Sequence, residues 1–464
     1  MAPHTILQGR PDWELGGRTA HGPILVRQAR AARSESTGEE QTMELLEKVL
    51  RRETMQEAYR RVVRNGGAPG VDGMTVHELG EYCRVHWLRI REQIRCGTYV
   101  PQPVRTVEIP KPGGKGSRKL GIPTVLDRMI QQALHLVLTP VFDPEFSERS
   151  FGYRPGRSAH DAIRQSQDHL SAGYRWMVDL DLAQFFDRVQ HDVLMARVAR
   201  RVKDKQVLRL IRRYLQSGVL VGGVESVRME GTPQGGPLSP LLSNILLDEL
   251  DRELEQRGHR FVRFADDVRV FVKTERAGTR VLESLERFLS KRLRLVVNRE
   301  KSGVVRPWNS TFLGYSFTSS RKGQPKVSAE SLKRLRRKLQ PLLSRGRGRR
   351  LDRVIADLNP ILVGWLQYFR LSEVKGGFES LDAWIRRRLR AIVWRQWKEP
   401  RTRFRKLQEL GVNRVKAARA AWGRDGPWGS AGGSAINVAL PNRTLYGMGL
   451  VSLLERHREL ERSS

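Results

Sequence analysis

Apolar positions along this chain follow two periods, and the switches between them mark its elements. From Thr42 the spacing is helical, through Leu45, Leu46, Val49, Tyr59, Val62 and Val63, and it stops at Asn65-Gly66-Gly67. Thr75 caps a second helix that runs to Ile94. Val107 to Thr124 reads as strand, glycine-rich loop and strand, and Leu126 to Val141 as a helix with Ile130, Ala133, Leu134 and Val137 on one face. A turn at 151–158 leads into another helix. Arg175 to Asp181 is a strand, and a helix opens after Glu230–Pro240 and runs to about Gln256. Arg260–Phe264 and Val268–Val272 are rich in Phe and Val, so they predict a β-hairpin with Asp266 and Asp267 at its tip. A helix over 279–293 and strands at 295–298 and 312–317 complete this part. The order β, α, α, hairpin, α, β, β predicts an α+β fold, with helices on one face of an antiparallel sheet.

From Ser328 the pattern is helical throughout, with segments near 328–344, 351–372 and 378–398 forming an α bundle. Glu399-Pro400 breaks it. A last module holds a helix near 402–422, a Trp/Gly loop at 427–430 and an end helix near 448–460. Residues 1–41 show no sustained period and are expected to be a weakly ordered arm. The expected divisions are therefore 1–41, 42–325, 326–398 and 399–464.

Charge changes the picture most. The 464 residues carry 84 Lys+Arg against 50 Asp+Glu, a formal charge of +34. Such an excess repels itself unless a polyanion shares the surface, so nucleic acid is the expected partner. No apolar run is long enough for a bilayer, and no secretory leader is apparent. Cys83 and Cys96 are the two cysteines. They cannot form a zinc cage alone and are read as packing residues in a reducing cytoplasm.

Several stretches carry candidate chemistry. Adjacent carboxylates at Asp266 and Asp267 repel, and a divalent cation between them relieves the repulsion. The bland alternative is a solvated Asp-Asp turn. Asp179 and Asp181 lie on one face of their strand, so periodicity does not say which of them binds metal, and Asp187 is a further candidate. In the glycine-rich hairpin, Lys111 and Arg118 are the cations that would meet a triphosphate. It is not a Walker loop, because no Gly-Lys-Ser/Thr opens a helix there. Arg154 and Arg157 would hold phosphates, and Gln234 would meet a substrate beside a helix start. His160 is read as a helix-surface or packing residue. The basic runs at 334–338, 345–350 and 386–390 outnumber their acidic neighbours, whereas the interleaved Trp and Tyr side chains are read as core.

From about residue 42 onward the sequence resembles the reverse transcriptases encoded by bacterial group II introns, most closely the compact class C members. Six blocks match in order: Lys111–Thr124, Phe151–Ala162, Asp181–Asp187, Gly231–Pro240, Phe264-Ala265-Asp266-Asp267 and Phe312–Phe317. The resemblance implies a right-hand polymerase fold, with fingers and palm over 42–325, a helical thumb (maturase) domain over 326–398 and a basic DNA-binding domain over 399–464. It implies RNA-directed DNA synthesis with two Mg²⁺ held by Asp181, Asp266 and Asp267, and it leaves Asp179 a structural role. Lys111 and Arg118 become triphosphate contacts, Phe185 the bulky residue that excludes a ribose 2′-hydroxyl, and Gln234 the residue under the incoming nucleotide. Arg154, Arg157, Arg345, Arg347, Arg349 and Arg350 are the expected nucleic-acid contacts.

The implied partners are intron RNA or another RNA template, a DNA target or primer, and dNTPs, with no membrane. The implied location is the bacterial cytoplasm, on the nucleoid when DNA is bound. Two other readings stand beside this one: a splicing-only maturase, and a domesticated relative without an intron that serves DNA repair or defence. Phe264 departs from the family's usual Tyr, and Ala183-Gln184 replaces residues that are usually charged. The zinc-containing endonuclease domain of many relatives has no counterpart, so second-strand cleavage by this chain is not expected.

Overall fold

The computed structural model describes residues 44–110, 117–221, 224–226, 230–231, 235–344 and 348–463. The expected arm at 1–41 and the candidates Lys111, Gln234, Arg345 and Arg347 lie outside the described residues. The strands in chain order are β1 (Val104–Pro110), β2 (Ser117–Ile122), β3 (Trp176–Leu180), β4 (Val219–Val221), β5 (Val224–Ser226), β6 (Arg260–Phe264), β7 (Asp267–Val272), β8 (Gly303–Val305), β9 (Tyr315–Phe317) and β10 (Pro325–Val327). With helices between them, the chain is α+β as expected.

Two compact units divide the chain, one drawn from 1–158, 178–270 and 276–304, the other from 159–177, 271–275 and 305–464. These bounds are not the composition breaks at 326 and 399. Two short segments from the middle of the chain join the C-terminal part, which contiguous composition cannot reveal.

In the first unit, the helix Val125–Phe142 is the central pillar. Its start is set locally, because Thr124 Oγ1 accepts from the Asp127 amide and donates to the Asp127 carboxylate. Asp127 is buried, and Tyr99, Tyr214 and the Gln102 amide also donate to it. Ile130, Ala133, Leu134 and Leu138 are fully buried in one core with Leu246, Leu250, Phe261 and Val270. The predicted helix from Thr42 is interrupted: Glu44–Leu50 and Arg52–Asn65 meet at an extended Arg51, and Gly66 closes the second with φ +63°. One four-stranded sheet runs β2-β1-β4-β5. Its β1–β2 hairpin is antiparallel, with Ile109 opposite Arg118, while β1 and β4 pair in parallel. A second sheet runs β6-β7-β3-β8. The expected strand at 295–298 reduces to a single bridge between Leu182 and Val297.

In the second unit, Ala329–Ser344, Leu351–Tyr368 and Gly376–Gln396 form the expected bundle. The expected helix over 402–422 is two helices, Pro400–Glu409 and Arg414–Trp422, with Gly411 between them at φ +82°. Residues after Glu399 share a core with the bundle, in which Val393 and Trp394 pack with Leu407, Val412, Ile436 and Leu440. The Arg386–Arg390 run is largely committed inside this unit. Arg387 lies 4.1 Å from the Trp428 ring and donates to the Trp428 carbonyl. Arg390 donates to Leu440 O and Asn442 Oδ1, and Arg386 to the Tyr446 hydroxyl. Among the described residues, no helix is long and apolar enough to cross a membrane.

The buried Asp382 ties the end helix Leu453–Arg462 to the bundle by accepting from the Ser452 hydroxyl and the Leu453 and Leu454 amides. Asp382→Ala leaves those amides without their acceptor and is expected to cost roughly 3 kcal/mol. A thermal melt should show a fall of several degrees; an unchanged melting temperature would contradict the anchoring role.

Candidate active site

The carboxylates reach the site from separate pieces of sheet. Asp181 directly follows β3, and its backbone is pinned on both sides. Its amide donates to Ser302 Oγ at 2.9 Å, and its carbonyl accepts from the Asn298 amide at 2.9 Å. The side chain stays partly exposed, with Lys301 Nζ 3.9 Å away. Asp266 lies in the hairpin turn, and Asp267 opens β7, the strand beside β3. The hairpin with acidic residues at its tip is as the sequence predicted.

A fourth carboxylate belongs to the group. Arg269 Nη1 lies 2.6 Å from Asp179 Oδ1 and 2.5 Å from Asp267 Oδ1, and the Arg269 side chain is only 6 % exposed. Asp267 is pushed up to about 6, first by burial and then by the negative charges of Asp179, Asp266 and Asp181, against the pull of Arg269. All four carboxylates therefore act in one electrostatic field. An all-oxygen donor set with surplus negative charge suits a hard divalent cation. Among the described residues, no three such groups already converge as a finished metal shell.

The hairpin tip is held from behind. Ala265 has φ +59°, which costs a non-glycine residue about 1–2 kcal/mol. Arg263, two residues earlier, is fully buried and donates from Nη1 to the Ala265 carbonyl and to Asn244 Oδ1. Its Nε and Nη2 engage Asp251, which is also fully buried. Asn244 in turn donates to the Gly152 carbonyl. Gly152 is pressed so close that an added Cβ would lie 2.2 Å from the Ala265 nitrogen.

The other expected residues have varied positions. Arg118 lies on β2, but its side chain is outside what is described. Phe185 is 2 % exposed, part of the core and edge-on to Phe186 with 5.1 Å between ring centroids. Gly231, three residues before Gln234 in the sequence, donates its amide to Val189 O and has φ +92°. Arg154 requires a correction. Its buried guanidinium donates to Asp143 Oδ1 and to the carbonyls of Asp143, Ser147 and Ser150, so it braces a turn instead of meeting phosphate. Arg157 pairs with Glu148 and lies over the Phe151 ring. In the second unit, Arg349 pairs with Asp357 and Arg350 with Asp352, all at exposed positions.

Sequence reasoning missed Arg263, Arg269, Asp251, Asn244 and Gly152. Signals were present. Arg263 and Arg269 interrupt strands otherwise built for burial, and a buried Arg demands an acid. Asp251 lies on the apolar helical face of Leu247, Leu250 and Leu254.

Two outcomes are expected. Gly152→Ala forces the tip to shift, so hydrogen exchange at Asp266 and Asp267 should speed up; unchanged protection would contradict the close contact. The raised Asp267 carboxyl contributes stability that is fully present below its ordinary value of 3.8 and lost as pH rises through about 6. The metal-free melting temperature should therefore fall between pH 5 and 7 relative to Asp267→Asn. Added Mg²⁺ should restore it at pH 7. Parallel pH profiles for the two proteins would contradict this.

Comparison with known proteins bears on the same residues. Residues 109–317 match the family model "Reverse transcriptase (RNA-dependent DNA polymerase)", and residues 332–411 match "Group II intron, maturase-specific domain". Protein YkfC of Escherichia coli (strain K12) is 39 % identical over 219 residues, covering 46 % of this chain and 57 % of that protein. Group II intron-encoded protein LtrA of Lactococcus lactis subsp. cremoris is 28 % identical over 351 residues, covering 62 % of this chain and 58 % of LtrA. The chain thus spans less than two thirds of the length of either relative. One polypeptide thus carries both domain types, with the acidic hairpin inside the first: residues 109–317 belong with the reverse transcriptases and residues 332–411 with the maturase-specific domains of group II introns.

Proposed function

We propose that this chain is an RNA-directed DNA polymerase of a group II intron, which extends a primer with dNTPs and also binds the intron RNA as a maturase in splicing and retrohoming. The observation that carries the reading is the shared field of Asp181, Asp266 and Asp267, inside the stretch that matches reverse transcriptases. The match over 332–411 supports the maturase role. The surplus of basic residues supports a polyanionic partner.

In this reading the primer 3′-hydroxyl attacks the α-phosphorus of a dNTP and pyrophosphate leaves. Asp181, Asp266 and Asp267 would hold two Mg²⁺, whose chemistry when bound is to lower the proton affinity of the hydroxyl and steady the leaving oxygens. Lys111 and Arg118 offset charge on the β- and γ-phosphates. Phe185 disfavours a 2′-hydroxyl, and Gln234 supports the nucleotide from below. The pinned backbone at Asp181 and the braced tip at Ala265 keep the carboxylates in place while substrates exchange. Residues 326–398 grip RNA as the thumb, with Arg349 and Arg350 toward the backbone, and 399–464 contact target DNA. The chain works in the cytoplasm, on the nucleoid when DNA is bound.

Primer extension on an RNA template with dNTPs and Mg²⁺ tests the reading. Wild type should extend, and Asp266→Ala should extend more slowly by roughly a thousandfold. Equal extension by the two proteins, or none by either, would remove the polymerase assignment.

A further inference from the structure

The resemblance leaves Asp179 without a chemical role and says nothing of Arg269, yet the two lie at the centre of the acidic group. Asp267 and Arg269 share one face of β7 because they are two residues apart, and Asp179 lies on the neighbouring strand β3. Arg269 is almost fully covered, and one nitrogen, Nη1, serves both Asp179 and Asp267 at nearly equal distance. A guanidinium cannot be discharged in a protein, so its positive charge is permanent. Whatever part of that charge is spent on Asp267 competes with a metal ion for the same carboxylate. Whatever Asp179 draws off is returned to Asp267 as affinity for a cation.

We propose that Asp179 and Arg269 form a built-in counter-ion couple that sets how tightly Asp267 binds a divalent cation. The inference rests on the two-metal reading of the site. Arg269 is a positioning residue here, not a metal ligand, and Asp179 positions Arg269. In the metal-free protein the guanidinium stands in for part of the missing charge and keeps Asp267 from being left bare. With a cation bound, Asp179 would still hold the guanidinium through the same ion pair. The couple differs from a plain structural salt bridge in one respect: its two members act on cation affinity with opposite signs.

Mn²⁺ titration of the full-length chain, followed by electron paramagnetic resonance, tests this without reference to polymerase activity. Mg²⁺-dependent shifts in melting temperature give an independent second reading. Arg269→Gln removes a positive charge and should tighten binding by about three- to tenfold; Asp179→Asn frees the guanidinium for Asp267 and should weaken binding by a similar factor. The double variant, neutral at both positions, should return near the wild-type value. Circular dichroism establishes that each variant is folded. If Arg269→Gln does not fold, Asp179→Asn and Arg269→Lys carry the test, with weakened binding expected for the first and near wild-type binding for the second. Two folded single variants that shift affinity in the same direction, or not at all, overturn the proposal. Asp267→Asn separates the two levels of inference. If it binds Mn²⁺ as wild type does, the two-metal reading itself fails. If it loses binding while the Asp179 and Arg269 variants match wild type, only the counter-ion couple fails.

Discussion

The buried pair of Arg263 and Asp251 is the constraint on which the site depends. Both side chains are fully excluded from solvent, and breaking such a pair by removing one partner typically costs 3–5 kcal/mol. The pair does more than satisfy itself. The guanidinium keeps one nitrogen for Asn244 and the Ala265 carbonyl, and so fixes a left-handed residue in the turn that presents Asp266 and Asp267. The backbone of the preceding block is held to the same Arg: the Phe151 amide donates to Arg263 O, and the Arg263 amide donates to Arg149 O. A tip that must carry mutually repelling carboxylates is thereby built on a rigid base, and the cost of its left-handed turn is met by contacts remote from solvent.

Much of this was legible in the sequence. The hairpin at 260–272, the glycine-rich hairpin at 107–124 and the long helices of the bundle have strong periods and clear terminators, and they occur where the pattern put them. What was not legible has a common physical cause. Helix breaks at Arg51 and Gly411, the reduction of 295–298 to one bridge, and the burial of Arg154 are each decided by backbone geometry and contacts in the folded chain that residue type and spacing do not encode. Arg154 is the plainest case. Flanked by Gly, Pro and a second Arg, it reads as a phosphate grip, but four acceptors between Asp143 and Ser150 claim it. Asp179, which alternation puts on the same face as Asp181 and the resemblance reads as structural, is ion-paired with Arg269, a partnership that alternation alone does not give.

The charge balance has a similar lesson. The formal excess of 34 positive charges is real, but it is not spread evenly over the surface. Arg263, Arg269, Arg154 and Arg390 are buried and spent on internal acceptors, and Arg387 is stacked on Trp428. Arg is suited to this duty because a planar, weakly hydrated cation tolerates burial better than a Lys ammonium does. A basic run in a sequence therefore gives an upper bound on the charge offered to a nucleic acid.

The two compact units are woven from non-contiguous stretches, and this has a consequence for biosynthesis. The first unit begins before residue 158 but lacks its last strand residues until 303–304 have been made. The second needs 159–177 and 271–275 to be kept in reserve until the bundle after 305 exists. Neither body can close while the ribosome is still on the early half of the message, so long-range pairings must wait on late residues. Between the synthesis of residues 171 and 304, the nascent chain carries a half-built sheet and a helix at 159–171 whose own unit has yet to be made. A chaperone, or the RNA the protein is proposed to bind, would find its best opportunity to act in that interval.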